Sequence, residues 1–471
     1  MIVYFKNILN KSTNILYLLY IVVFITISLG QIARWDLLEQ VAMADNYIAN
    51  GDLYPDFRAN EIHGVSVYFP GIAYLAILFQ LIGIKFYLVE FLLLFAVIIF
   101  IFFIYLIIFL TKSIYPKRVY PKELIFLLLA YLTIVCPKFV MYALEFKPDT
   151  IALLLGLTGV LWIFEDAIFV YKKIIAIFLI GIAVFFKQQY LFFILGIFVS
   201  IFIIKKGSYK IFALISIIIS SLFFIIIISN KNLVFWNFEI LSDDGIVSFK
   251  FILTEIIPIA INIITFILLL ILSIEKNHIV QINKSFFLDL IKNHPWAIIF
   301  PFIIASCIIS FLKVGGNRGN LELGLVFIFP LILIFINYLS KWKVILIAWF
   351  GILITFANNL SSPIRYIEAK DLRNKIMIME SNNFKSVLTG SDVYYASRFL
   401  NRNGLVIENY WSQCMKNNIS VEKQLSISLQ KKYDLIIVEN WPENYTAIIN
   451  SNNYNVIFQN SIGLIAKAKL P

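Results

Sequence analysis

The chain has 471 residues, of which 61% are hydrophobic and 14% are charged, and its formal net charge is +11. Soluble proteins carry about 45–50% apolar and about 25% charged residues, so this composition excludes a soluble enzyme and a disordered chain. It is typical of a multi-span membrane protein with a smaller domain attached. The positive charge is therefore expected to mark cytoplasmic loops, and no nucleic-acid partner is predicted.

Apolar runs of membrane-spanning length recur from the N-terminus to residue 360. A helix needs about 20 apolar residues to cross the hydrocarbon core of a bilayer. Eleven transmembrane helices are predicted on this basis, over residues 14–33, 86–111, 123–142, 149–166, 172–187, 188–204, 209–229, 252–273, 296–312, 321–340 and 343–360.

Basic residues decide how these spans are oriented. Lys6 and Lys11 predict a cytoplasmic N-terminus, and the loop 112–122 has four basic residues and no acidic one, so it is also expected inside. Span 14–33 therefore ends outside, and only one crossing can then separate residue 34 from residue 112. The further apolar stretch 67–84 is accordingly interpreted as an interfacial or re-entrant helix. The prediction is a multi-pass protein of the cell (inner or plasma) membrane with an extracytoplasmic C-terminus.

The first outer loop, residues 34–85, begins with a predicted helix. Apolar residues recur at helical spacing from Leu37 to Ile48, and Gly51 is expected to end the helix, which we predict to lie along the membrane surface. Two carboxylates, Asp36 and Glu39, stand one turn apart where this helix leaves the first span.

The last part of the chain changes character. Residues 361–379 are predicted as a linker, and 380–471 as a small α/β extracytoplasmic domain without catalytic residues, because strand-length apolar runs alternate there with polar helical stretches. The predicted strands are 386–389, 404–407, 434–438, 454–458 and 463–466.

Ionisable residues at membrane depth are costly and point to function. In the predicted topology those near the outer interface gather in four loops, and a site with carboxylates and cations there suits a phosphorylated lipid. The candidates are Asp36, Glu39, Asp149, Lys187, Lys313 and Arg318.

Structural explanations compete with each of these assignments. Asp36 and Asp149 both stand where a helix begins and are candidate helix caps. Lys187 is a candidate snorkelling lysine, and Arg318 a candidate exposed loop residue. Glu90 and Glu255 are assigned no role.

Several short motifs resemble segments of the GT-C superfamily of membrane glycosyltransferases, above all its dolichyl-phosphate-mannose mannosyltransferase and aminoarabinose transferase branches. The first span is followed by Trp35-Asp36, and the next helix ends in Gly51-Asp52-Leu53-Tyr54-Pro55. Further similar segments are 67–71, 146–152, 183–189 and 315–322.

The resemblance implies an inverting transfer of a sugar from a polyprenyl-phosphate donor to a hydroxyl of a glycan, lipid or protein at the outer membrane face. It implies Asp36 as general base, with Glu39 left open because the superfamily's usual acidic pair is adjacent. Asp149 becomes a second acid or an acceptor-positioning residue. Lys187, Arg318 and Lys313 become ligands of the donor phosphate. No cofactor is assigned, and a divalent cation stays open.

Two other classes of function remain as alternatives. A transporter or lipid flippase would predict internal repeats and charges along a path through the bilayer. A polysaccharide polymerase or ligase would also use lipid-linked donors, but it would predict a large outer loop late in the chain, where this sequence offers only residues 313–320.

Overall fold

The structure is a computed structural model. It describes residues 2–33, 35–51, 53–54, 70–114, 121–164, 169–187, 190–203, 207–234, 248–273, 295–312, 318–329, 341–379, 384, 386–390, 393–398, 400, 405–408, 423, 425–426, 429 and 433–469.

Helices make up the chain as far as residue 379. In order they are α1 (Ile2–Leu29), α2 (Trp35–Asn50), α3 (Gly71–Leu81), α4 (Leu88–Ile114), α5 (Pro121–Val135), α6 (Pro137–Leu144), α7 (Pro148–Ile163), α8 (Val170–Phe186), α9 (Leu191–Ile203), α10 (Gly207–Ile228), α11 (Lys231–Val234), α12 (Phe249–Ser273), α13 (Pro295–Leu312), α14 (Arg318–Val326), α15 (Lys341–Asn358) and α16 (Ser362–Met379).

A helix overlaps every predicted span, but helix length does not fix the number of crossings. Within the described residues three helical stretches are long and apolar enough to cross a membrane: 88–111, 249–273 and 342–379. The predicted span 123–142 is instead two helices, α5 and α6, which meet at an angle of 99°. Pro137 explains the break, because a proline cannot continue the hydrogen bonding of α5. The count of eleven spans and the orientation of the termini stay predictions.

Small residues let the apolar helices approach closely. A Cβ on Gly159 of α7 would lie 2.7 Å from the carbonyl oxygen of Ala176 in α8, and one on Gly351 of α15 would lie 3.2 Å from the Cα of Ala130 in α5. Such contacts are typical of helices packed in a membrane. The outward faces stay apolar, as on α12, where Ile257, Ile261 and Ile264 are exposed. A membrane location follows from these faces.

Helix α2 is confirmed, including its end at Gly51, which has a φ of +81°. Its surroundings differ from the prediction of a helix on the membrane surface. Every residue from 36 to 45 is buried, on all sides of the helix, and the exposed residues are the last four of the helix, 47–50. The helix is enclosed because α3 runs beside it and the C-terminal part of the chain covers it. Helix α3 has 11 residues, so at about 1.5 Å per residue it is too short to cross the bilayer.

The C-terminal part contains a five-stranded sheet in the order β2-β1-β3-β5-β4. Its strands are β1 (Val387–Gly390), β2 (Leu405–Glu408), β3 (Leu435–Glu439), β4 (Tyr454–Gln459) and β5 (Gly463–Ala468), with helices α17 (Tyr394–Ser397) and α18 (Pro442–Asn450) beside them. The three strands β2, β1 and β3 are parallel, and β5 and β4 are antiparallel. All five predicted strands are present.

The predicted linker 361–379 forms helix α16, which follows α15 after a short turn. Together residues 342–379 make one helical stretch of 38 residues. At about 1.5 Å per residue it is about 57 Å long, against about 30 Å for the hydrocarbon core. Its second half therefore extends beyond the helix bundle, where Leu372 contacts Gly463 of the sheet.

Candidate active site

Helix ends and loops meet at one end of the bundle, next to the start of α2. The hydroxyl oxygen of Ser28, near the end of α1, lies 2.6 Å from the carbonyl oxygen of Leu93 in α4 and 2.7 Å from that of Leu144 at the end of α6, and its one proton is shared between them. Gly30 contacts Ser362 at the start of α16. The predicted topology assigns all these helix ends to the outer side. They do lie together, while the side of the membrane that they face stays a prediction.

The turn between α6 and α7 supplies two charged residues to this end. Phe146 adopts a φ of +63°, a left-handed conformation that is unfavourable for a bulky side chain. Burial of its ring against Phe95 offsets that cost. From this turn Lys147 and Asp149, two residues apart, each meet a partner of opposite charge.

Asp36, the predicted base, pairs with the first of these residues. Lys147 Nζ lies 2.5 Å from Asp36 Oδ2, and both side chains are buried. Asp36 Oδ1 is also buried, and it accepts no hydrogen bond from the part of the chain that the structure describes. The cation compensates the buried carboxylate, and one oxygen remains to accept a further hydrogen bond.

Asp149 and Lys187 form the second pair, which links the start of α7 to the end of α8. Lys187 Nζ donates a hydrogen bond of 3.0 Å to Asp149 Oδ2, and Tyr190 donates one of 3.1 Å to the main-chain oxygen of Asp149. Asp149 Oδ1 accepts none within the described residues. Two predicted site residues from separate loops are thus in direct contact.

Arg318 belongs to a third group, at the start of α14. Its Nε lies 2.9 Å from Oε1 of Glu322, and its main-chain N–H donates a hydrogen bond of 3.1 Å to Glu255. Glu322 is fully buried and accepts a hydrogen bond of 2.9 Å from the main-chain N–H of Phe139 in the first turn of α6. A carboxylate at a helix N-terminus is favourable, so Glu322 stabilises the start of the helix that follows the break.

Tyr142 joins the first and third groups. Lys147 Nζ lies 3.7 Å from the centre of the Tyr142 ring, a cation–π contact. The same ring also packs against Gly319, where a Cβ would lie 2.1 Å from Tyr142 Cε2. Glycine is required here because α14 passes directly against the ring.

The structure decides between the competing explanations at three positions. Lys187 does not snorkel, because it is buried and paired with Asp149. Asp149 is not a helix cap, because the cap position of α7 is Lys147. Arg318 is no ordinary exposed loop residue, since 19% of its side chain is exposed and it pairs with Glu322.

Two predicted site residues remain, Glu39 and Lys313. Glu39 is buried one turn along α2 from Asp36. Lys313 lies outside the described residues. The sequence interpretation gave no role to Lys147 or Glu322, although both belong to segments that it singled out.

A second set of buried ion pairs joins the C-terminal part to the helices, and sequence reasoning missed it. Arg398 contacts both carboxylate oxygens of Asp45 in α2, and Arg373 of α16 contacts Glu90 in α4 at 3.2 Å. Tyr395 also donates a hydrogen bond of 2.7 Å to Glu90, so Glu90 has a structural role.

The donor set is poor in metal ligands. Among the described residues there is no group of three or more His, Cys, Asp and Glu side chains that could hold a metal ion. Asp36 and Asp149 are instead each compensated by a lysine. A divalent cation would have to compete with those ammonium groups, so the described residues do not fit a metal site, and participation of a divalent cation stays a prediction.

Comparison with solved structures decides the fold. ArnT from Cupriavidus metallidurans bound to undecaprenyl phosphate matches with a TM-score of 0.56 at 11% identity, over 96% of this chain and 98% of that one. The same enzyme in the apo state matches with a TM-score of 0.57 at 10% identity, over 97% and 98%. This chain has the GT-C fold.

The other comparisons add nothing to this result. The apo oligosaccharyltransferase of Archaeoglobus fulgidus matches with a TM-score of 0.49 at 12% identity, over 90% of this chain and 69% of that one. No protein-family model matches the sequence, and no curated protein matches it either. The GT-C resemblance that the sequence motifs indicated is confirmed as a fold. The ArnT match covers nearly the whole chain, so it includes the C-terminal sheet as well as the helices.

Proposed function

We propose that the chain is a membrane glycosyltransferase that moves a sugar from a polyprenyl-phosphate donor to an acceptor hydroxyl. The GT-C fold supports this proposal, because the ArnT structure that shares it holds undecaprenyl phosphate. The observation that carries it is the pair of buried carboxylates, Asp36 and Asp149, each held by one lysine and each with a second oxygen that no described residue occupies.

Asp36 is the general base of this reaction. The acceptor hydroxyl donates a hydrogen bond to Asp36 Oδ1 and attacks the anomeric carbon of the sugar. As the new C–O bond forms, the proton moves to Asp36, and the bond from the anomeric carbon to the phosphate oxygen breaks. Polyprenyl phosphate leaves with the bonding electrons, and one displacement inverts the anomeric configuration. Glu39, one turn away, is the alternative base.

Asp149 positions the acceptor. It is two residues from Lys147, the partner of Asp36. An acceptor hydroxyl that hydrogen-bonds to Asp149 Oδ1 is therefore held beside Asp36. The two aspartates have different partners, Lys147 and Lys187, and their substitutions should separate proton transfer from acceptor binding.

Lys187 and Arg318 bind the donor phosphate, with Lys313 as a further candidate. An ammonium group has three donors and a guanidinium five, so each cation can hold a carboxylate and a phosphate oxygen together. The negative charge on the leaving phosphate grows in the transition state, and cations placed beforehand stabilise it. The apolar helices supply the surface for the prenyl chain.

The acceptor is a glycan, lipid or protein hydroxyl at the outer face of the cell membrane. The C-terminal domain sits over the first outer loop and shapes access for the acceptor. The orientation with a cytoplasmic N-terminus belongs to the same proposal, and labelling of single cysteines introduced at Ser113 and Ser420 from opposite sides would test it.

The deciding experiment is turnover by the purified full-length protein in lipid nanodiscs. A panel of polyprenyl-phosphate sugars is incubated with water-soluble and lipid acceptors, and released polyprenyl phosphate is measured. Asp36→Asn should lower the rate by about 10²–10⁴-fold, as loss of a general base does. Asp371→Asn is the control, because Asp371 is an exposed carboxylate on α16. Full activity of both Asp36→Asn and Glu39→Gln would refute the proposal.

A further inference from the structure

We propose that Arg398 of the C-terminal domain is a positioning residue, which fixes helix α2, and with it Asp36, through a clamp on Asp45. The inference rests on the proposed function, since it concerns the residue named there as base. It assigns the C-terminal domain a part in catalysis that the sequence did not indicate.

The clamp saturates the carboxylate of Asp45. Arg398 Nε donates to Asp45 Oδ2 at 3.2 Å, and Nη2 donates to Oδ1 at 3.0 Å. Tyr394, in the same turn of the C-terminal domain, donates to Oδ2 at 2.7 Å, and Gln80 of α3 donates to Oδ1 at 2.8 Å. Two hydrogen bonds on each oxygen fix the carboxylate in direction as well as in distance.

The guanidinium stays charged in this buried place. Burial by itself lowers the pKa of Arg398, but the Asp45 carboxylate and its hydrogen bonds outweigh that effect and raise the pKa above its ordinary value. Arg398 also donates a hydrogen bond of 3.1 Å to the main-chain oxygen of Lys85, before α4. One side chain therefore joins the C-terminal domain to two separate segments.

Helix α2 carries the clamp's effect to the candidate base. Asp36 and Asp45 are nine residues apart, which is two and a half turns and about 13.5 Å along the axis, so they lie on opposite faces. Gln40, between them, accepts a hydrogen bond of 3.1 Å from the main-chain N–H of Ala73 in the first turn of α3. Helix α3 is thus bonded to α2 at Gln40 and Asp45, and the clamp holds both helices in register.

The Arg373–Glu90 pair provides a matched control. Both pairs join an arginine of the C-terminal region to a buried carboxylate, and each includes a tyrosine hydroxyl, from Tyr394 or Tyr395. Glu90 lies at the start of α4, whereas Asp45 lies on the helix of the base. Loss of either pair weakens the docking of the domain, but only loss of Arg398 releases α2.

The experiment compares Arg398→Gln with Arg373→Gln in the full-length protein, with Arg398→Lys as a variant that keeps the charge and loses the two-pronged contact. Hydrogen exchange of the main-chain amides of residues 35–50 is measured by mass spectrometry, and turnover is measured with the donor that the wild type uses. Melting temperatures show how far each change affects the whole fold.

We expect Arg398→Gln to speed exchange in residues 35–50 and to lower kcat by about 10-fold or more with little change in the donor KM, because a misplaced base slows the chemical step. Arg398→Lys should recover part of both effects. Arg373→Gln should lower the melting temperature comparably, with kcat within about twofold of wild type. Equal exchange in residues 35–50, or an equal loss of kcat, for the two glutamine variants would overturn the inference. Should the wild type release no polyprenyl phosphate, the proposed function fails, while the exchange comparison still decides whether Arg398 fixes α2.

Discussion

Two aspartates of one helix, Asp36 and Asp45, are both buried and both paired with a cation, yet their surroundings differ. Asp45 accepts two hydrogen bonds on each oxygen, from an arginine, a tyrosine and a glutamine. Asp36 has a single lysine ammonium on Oδ2, and its Oδ1 accepts no hydrogen bond from the described residues.

In the proposed function, this difference separates a structural carboxylate, Asp45, from a reactive one, Asp36. A buried polar atom without a partner costs about 1–3 kcal/mol, and such a cost is normally removed by a neighbouring side chain, as at Asp45. At Asp36 Oδ1 no described residue removes this cost, so that oxygen can accept a hydrogen bond from the proposed acceptor. Lysine and arginine reinforce the contrast, because a guanidinium fork fixes a carboxylate in two places and an ammonium holds it in one.

The largest expected effect is a crossed result at these two positions. Asp36→Asn should lower turnover by about 10²–10⁴-fold. It also removes the carboxylate partner of buried Lys147, so it should lower the melting temperature, but by less than Asp45→Asn because Lys147 keeps its contact with the Tyr142 ring. Asp45→Asn should destabilise the fold by about 3–5 kcal/mol, because Arg398 is left buried without its partner. Turnover assays and thermal melts in the same nanodiscs check both halves. A large loss of stability for Asp36→Asn, with Asp45→Asn stable, would show that the two aspartates had been assigned the wrong way round.

A smaller effect is expected at the second lysine–aspartate pair. Lys187→Met leaves Asp149 buried and uncompensated, so it should lower both stability and kcat/KM for the donor. The double variant Lys187→Met with Asp149→Asn removes both charges and should regain stability without regaining donor turnover. A thermal melt of the three proteins beside donor saturation curves measures this. Recovery of turnover in the double variant would mean that Lys187 only compensates Asp149 and does not bind phosphate.

Most of the contrast between Asp36 and Asp45 could not be predicted from the sequence, and the reason is physical. Hydropathy located the apolar helices, and strand-length apolar runs located the five strands, because both depend on neighbours in the chain. The ion pairs depend on chain topology: Asp45 and Arg398 are 353 residues apart, and nothing local marks them as partners. The sequence did indicate that four loops meet on one side, but it could not show that Lys147 is the partner of Asp36.

Sequence patterns also failed to predict two local features. The apolar run 123–142 reads as one span, and only Pro137 signals that it bends by 99°. The burial of α2 on all sides was missed because helical periodicity describes one apolar face and does not see a covering domain. The remaining candidate, Lys313, lies outside the described residues, so its role as a phosphate ligand stays a prediction.

The smallest effect tests whether Tyr142 holds Lys147 in place as the partner of Asp36. Gly319→Ala would place a Cβ 2.1 Å from Tyr142 Cε2, so the ring must move from under Lys147. We expect a destabilisation of about 1–3 kcal/mol and a several-fold loss of turnover. Gly324→Ala on the same helix is the control, since its Cβ would lie 3.4 Å from Cys307 Cβ, an ordinary contact. Melting temperatures and initial rates of both variants measure the effect, and equal behaviour of the two would contradict the role of Tyr142.

The anomeric configuration of the product tests most directly the central claim, a single displacement in which a carboxylate acts as a base. NMR of the product formed from a donor of known configuration measures it in the wild-type protein. The account predicts inversion, because the acceptor attacks the sugar in one step while Asp36 Oδ1 takes the proton. Retention would contradict it, because retention requires two displacements and a carboxylate that attacks the sugar itself.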